Sequence, residues 1–324
     1  MSAIALDLPI GMRDLLPKEA RARRSLTRRL MDAFDKKGYE PISTAVVEFE
    51  SVVERGLTGR ARTEIVRLVD PGTGAAAALR PDITPQVARL VATRLRGESP
   101  PFRFAYDGSV IRHGRDPARP RRQIPQAGVE LVGVKAPAGE AEVISLLHAA
   151  LRRSGLRRFV LELGLPEIAR APLATLPEGQ RSEASTALAR KDAAALKNAI
   201  RKAAPDVRRA LSPLPFLFGD AAVIDEAKKV LQGDVASRLL ASLEGVVRAL
   251  ARTGLTDVAV DLGDLRDFEY YSGVTFQALA RGPGDAVASG GRYDGLCARY
   301  GRDLPAIGFA IDVENLEAAL GARS

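Results

Sequence analysis

The chain has 324 residues, 46% of them apolar, which suffices for one large domain or two with a real core. No apolar run is long enough to span a bilayer and no charged-then-apolar leader follows Met1, so an unexported cytoplasmic protein without membrane contact is expected. One cysteine, Cys297, excludes an internal disulfide framework, and with only His113 and His148 beside it there are too few ligands for a zinc site, so no metal or cofactor is expected.

The net charge of +8 invites a nucleic-acid reading. Against it, the basic residues are scattered among acids and aromatics make up only 5%, so no stacking platform for RNA emerges. A solvated surface or an acidic partner is the better reading.

In chain order, a turn-rich entry ends at Pro17. A helix is predicted over about 18–37, with Ala22, Leu26, Leu30 and Phe34 on one stripe and Gly38 as its stop. Residues 39–47 read as extended and 48–55 as a short helix. Two strand-like arms, 65–69 and 75–79, flank Asp70-Pro-Gly-Thr-Gly74, which reads as a hairpin turn and not a phosphate loop, because no Gly-Lys-Ser/Thr follows. Thr84-Pro85 signals a helix start with Thr84 as N-cap. Strands are predicted at 102–112 and 122–132, a helix at 139–154 and a strand at 158–163.

Between 165 and 253 the composition turns to Ala, Leu, Arg and Lys at helical spacing, broken at Pro213-Leu-Pro215. Strands return at 258–262, 266–276 and 305–311, and a helix closes the chain from Val313. The pattern predicts an α+β fold with a mixed or antiparallel sheet: a core in two parts, 1–164 and 256–324, around a helical insertion at 165–255.

Several polar residues would be costly in a plain core. Asp82 and Thr84 open a helix, Arg112 ends a strand, and Gln126 and Glu130 share one face of the next. Arg266, Tyr270 and Tyr271 lie on a further predicted strand. Alternation from Arg266 puts Tyr270 on its face, while a bulge would bring Tyr271 there instead. Gly290-Gly291 is read as a turn that lets backbone approach a ligand. Carboxylates and amides suit an ammonium, and arginine suits a carboxylate, so the set describes a site for a zwitterionic amino acid.

Leu79-Arg-Pro-Asp-Ile-Thr84, Phe102 to Arg112, Gln126-Ala-Gly-Val-Glu130, Arg266 to Phe276 and Gly290-Gly-Arg-Tyr-Asp-Gly295 resemble, in order and spacing, the catalytic core of histidyl-tRNA synthetase. The resemblance implies a class II aminoacyl-tRNA synthetase fold, an antiparallel sheet flanked by helices, and dimerisation through residues 18–47. It also implies that Asp82, Thr84 and Gln126 meet the ammonium of histidine, Arg266 and Gln126 its carboxylate, and Glu130 with Tyr271 its imidazole. Arg112 and Tyr270 complete the candidate histidine-binding set.

Departures from that synthetase are equally informative. Asp312 and Asn315 stand where its last motif has glycine and the arginine that holds ATP phosphate, so repulsion and a lost cation both oppose nucleotide. Gly114 and Pro120 replace an acid and an arginine of the second motif, and Asp82 replaces a longer acid. With the chain ending at Ser324, no anticodon-binding domain is expected and tRNA is not expected as a partner. These features resemble the regulatory-subunit family of ATP phosphoribosyltransferase. That resemblance implies no catalysis of its own, a short-form catalytic subunit as partner, L-histidine as feedback effector, and a homodimer within a hetero-oligomer. The alternatives are a truncated histidine-activating enzyme and a tRNA-binding accessory protein.

Overall fold

The computed structural model describes residues 7–57, 59–113, 121–265 and 270–322. Helix α1 (Pro17–Asp35) starts with proline at its first position and Glu19 accepting the Leu16 N–H at 3.1 Å. Leu26, Leu30, Ala33 and Phe34 form its buried stripe, and Gly38, at φ 77°, turns the chain out of the helix. The stretch expected to be extended over 39–47 holds only two short strands, β1 (Glu40–Pro41) and, at its end, β2 (Val47–Phe49). After α2 (Glu50–Gly56), strands β3 (Arg67–Val69) and β4 (Ala76–Leu79) form the predicted hairpin, closed where Asp70 accepts the Thr73 N–H at 2.9 Å. These make a small sheet in the order β2-β4-β3 that leads into α3 (Thr84–Thr93).

Strands β5 (Phe102–Ile111) and β6 (Gln123–Val132) pair antiparallel over ten residues. Helix α4 (Ala138–Ser154) stops at Gly155, φ 104°, before β7 (Val160–Gly164). The Ala-rich stretch supplies α5 (Glu167–Ala174), α6 (Glu178–Ala189), α7 (Ala193–Ala199) and α8 (Pro205–Leu211). A two-residue strand β8 (Phe218–Gly219) follows, then α9 (Val223–Val230) and α10 (Asp234–Arg252). The last part is β9 (Ala259–Asp261), β10 (Thr275–Leu279), β11 (Ala288–Arg292), α11 (Asp294–Ala298), β12 (Ala306–Asp312) and α12 (Val313–Gly321).

The main sheet has nine strands in the order β1-β5-β6-β12-β11-β10-β7-β9-β8. It is mixed and not wholly antiparallel: β1 runs parallel to β5 and β7 parallel to β9. Helix α4 packs against both α1 and α10, and one apolar core joins these helices, the sheet and side chains of the Ala-rich stretch such as Leu196, Leu211 and Leu240. Phe34 meets Phe309 edge-on at 5.7 Å at its centre. Ala22, expected on the buried stripe, is exposed, because the first turns of α1 meet α12 through the ion pairs of Arg23 with Glu314 and Glu317.

A buried ion pair ties α4 to the sheet. Arg292 on β11 and Glu140 on α4 are 4% and 1% exposed and form a bidentate pair through the Nε–Nη2 edge of the guanidinium, at 2.5 and 2.8 Å. Removing one partner strands the other charge, so Glu140→Ala is expected to cost about 3–5 kcal/mol. The measurement is the urea midpoint at unchanged m. A loss below about 1 kcal/mol would mean that Asp294, 2.9 Å from the same guanidinium, suffices alone.

Candidate functional site

The start of α3 faces strands β6, β11 and β12. Asp82 sits two residues before the helix body, and its Oδ1 accepts the Thr84 N–H at 3.1 Å. Thr84 is therefore not the N-cap expected from its position before Pro85. Asp82 satisfies the orphan donor, Ile83 is the cap residue, and the Thr84 hydroxyl donates instead to Glu130 Oε1 at 2.6 Å. The Tyr270 hydroxyl donates to the other Asp82 oxygen at 2.8 Å. Two helix-start residues thus hold one side of the site by hydrogen bonds that reach far along the chain.

Glu130 is fully buried on β6, and its second oxygen accepts the Tyr293 hydroxyl. Opposite it in register is Gly308, where a Cβ would stand 1.8 Å from Glu130 Oε2, so only glycine fits. Burial raises the Glu130 carboxyl to about 8; the hydroxyls of Thr84 and Tyr293 oppose the rise and the nearby charge of Asp82 adds to it.

Tyr270 and Tyr271 precede β10 and lie outside any strand, so alternation does not separate them. Their rings meet edge to face at 4.9 Å, both nearly buried, and Tyr270 also meets Tyr293 at 6.0 Å. Gly290 and Gly291 lie within β11 and are not the expected turn. A Cβ on Gly291 would come 2.8 Å from the Tyr271 ring, and one on Gly290 2.3 Å from the Gly308 carbonyl. The glycine pair admits the tyrosine and the neighbouring strand.

Between these walls is a cavity of about 60 Å³ lined by Asp82, Thr84, Arg112, Gln126, Tyr270 and Tyr271 among others. Six of the expected residues are thus brought together. Glu130 lies behind the lining, its two oxygens held by the hydroxyls of Thr84 and Tyr293. Arg266 falls outside the described residues. Arg112 extends from the end of β5, its Nε donating to the Pro81 carbonyl at 2.7 Å. Gln126 is buried, and its Oε1 has no hydrogen-bond partner, an acceptor waiting for an N–H donor. Sequence reasoning missed Tyr293 and Ser289 in the lining. Tyr293 stood inside the quoted Gly-Gly-Arg-Tyr-Asp segment, and its polar ring was the available signal.

Beyond Gln126 the strand register leads to Asp312, the last residue of β12. Its carboxylate caps α12 by accepting the Asn315 N–H at 3.0 Å and binds Arg121 Nη2 at 2.9 Å. Arg121 also reaches Glu314 at 2.8 Å and the Asn315 side-chain oxygen at 3.0 Å, while the Asn315 amide donates to the Ala286 carbonyl at 2.8 Å. The Arg121 cation beside this end of the site is committed to two carboxylates.

Sheet and cavity together define a class II synthetase-like core. The profile of the histidyl-tRNA synthetase family matches residues 11–316. An ATP phosphoribosyltransferase regulatory subunit of Anaeromyxobacter dehalogenans is 44% identical over 97% of this chain and 91% of that protein. One from Syntrophotalea carbinolica is 40% identical over 97% and 74% respectively. A solved structure from Bacillus halodurans, described as an ATP phosphoribosyltransferase regulatory subunit/histidyl-tRNA synthetase, superposes with a TM-score of 0.87 at 28% identity, over 98% of this chain and 84% of that one. The chain belongs to the ATP phosphoribosyltransferase regulatory subunit family.

Proposed function

We propose that this chain is a non-catalytic regulatory subunit acting in the first step of histidine biosynthesis, activating a short-form ATP phosphoribosyltransferase catalytic subunit and carrying feedback by L-histidine. The observation that supports this reading most is the contrast within one site. The amino-acid half keeps Asp82, Gln126 with its unpartnered acceptor, and paired tyrosines, while at the nucleotide half Arg121 is consumed by Asp312 and Glu314. Ammonium, carboxylate and imidazole of histidine match the former; a triphosphate finds repulsion at the latter.

Pairing of two copies is part of the proposal. Val46 and Val47, at the end of the 18–47 segment, and Phe49 beside them are exposed, an apolar surface that a second copy would cover. Action in the cytoplasm accords with a single, buried, unbridged Cys297; among the described residues no helix is long and apolar enough to cross a membrane.

Ligand that binds only the folded state stabilises it by mass action, about 2.7 kcal/mol at a hundredfold excess over Kd. L-Histidine is therefore expected to raise the Tm of the isolated chain by several degrees, and Asp82→Asn to reduce the shift. No shift at millimolar histidine would remove the effector reading. Histidine-dependent ATP–pyrophosphate exchange would replace it with the histidine-activating enzyme.

A further inference from the structure

Helices α7 and α8, far along the chain from the cavity residues, enclose a groove of about 890 Å³. Its walls carry Lys197, Arg201, Arg208 and Arg209, all exposed, and its apolar lining includes Ile200 and Phe216. Phe216 is 67% exposed, the ring of a large apolar side chain turned to solvent. Elsewhere in this molecule the surface cations are often paired: Arg23, Arg67, Arg103 and Lys228 each hold a carboxylate. Among the described residues none of the four groove cations does. Lys197, Arg208 and Arg209 lie in the last turns of their helices, where the macrodipole favours positive charge, but that accounts for their sequence position and not for four like charges gathered round one apolar groove.

We propose that this groove docks an acidic segment of the partner protein, with an apolar side chain seated on Phe216 and flanking carboxylates on the four cations. This rests on the regulatory-subunit reading. An apolar centre inside a charged rim is the anatomy of a protein interface, where the buried anchor holds the complex and the rim sets encounter and register. Nucleic acid fits less well. A tracking groove for single strands stacks successive bases on several aromatics, whereas this one offers a single ring. Asp192 and Asp206, at the starts of α7 and α8, also set anions where a phosphate backbone would continue.

The test is association of the intact chain with the ATP phosphoribosyltransferase catalytic subunit of the same organism, measured at low and high salt. The variant K197E/R201E/R208E/R209E is expected to bind at least about tenfold more weakly and to lose most of the salt dependence. Phe216→Ala is expected to weaken binding with the salt dependence kept. Both variants should retain the histidine-induced rise in Tm, which shows that they fold. Unchanged affinity of the charge-reversed chain would overturn the groove as the docking surface while leaving the regulatory reading intact. Failure of the parent chain to bind the catalytic subunit at all would overturn both. Tight, salt-steep RNA binding by the parent that the four reversals abolish would assign the groove to nucleic acid instead.

Discussion

Glu130→Gln is expected to stabilise the protein at pH 8 by several kcal/mol relative to the parent, and to make little difference below pH 4.5. The parent carboxyl, with an ordinary value of 4.5, is held at about 8 in the fold, chiefly by burial. Below 4.5 it is protonated in both states and costs nothing. Between 4.5 and about 8 the unfolded chain gives up a proton that the fold keeps, so stability falls as pH rises through that window and stays reduced above it. Full burial leaves no solvent to screen the effect. Burial pushes the Cys297 thiol up to about 12, and the charge of Glu130 adds to the rise. Glutamine preserves the shape and an acceptor for Thr84 or Tyr293 but cannot ionise. Urea unfolding of both proteins across this pH range is the measurement, and parallel stability curves would contradict the account.

Gly308→Ala is expected to be the most damaging small substitution in the core. Its Cβ would stand 1.8 Å from Glu130 Oε2 and 2.5 Å from the Val129 carbonyl. The second clash is with backbone of the neighbouring strand, which cannot retreat without breaking the β6–β12 register. A loss of about 4 kcal/mol or more follows, enough to remove most of the stability of an ordinary domain. Adding Glu130→Ala relieves only the side-chain clash, so the double variant should recover part of the loss. The control is Gly245→Ala on α10, where nothing lies within 4 Å of the new methyl. There alanine is expected to stabilise by about 0.5–1 kcal/mol. Thermal melts of the three variants decide the matter, and a parent-like melt for Gly308→Ala would refute the packing argument.

The sequence is most informative where the physics is local. Gly38 ends its helix as expected, and the Asp70 turn closes its hairpin through a side chain three residues away. Polar residues around the cavity could be collected because Asp82, Arg112 and Gln126 each break an otherwise apolar pattern. What could not be read depends on partners distant along the chain. Thr84 looked like a cap, but its hydroxyl is claimed by Glu130, 46 positions later. Gly290-Gly291 looked like a turn because nothing local distinguishes a turn glycine from one that makes room for Tyr271 and Gly308. The tyrosine pair was assigned to a strand that starts only at Thr275. Asp312 and Asn315 stand out in the sequence, yet the side chain that pairs with Asp312 and bonds Asn315, Arg121, lies 191 positions away from Asp312.

The central claim is that one site keeps its amino-acid half and has closed its nucleotide half. Calorimetric titration of the intact chain with L-histidine, and separately with Mg-ATP, tests it most directly. The account predicts saturable heat with histidine and none with the nucleotide. Saturable nucleotide binding with no histidine binding would contradict it.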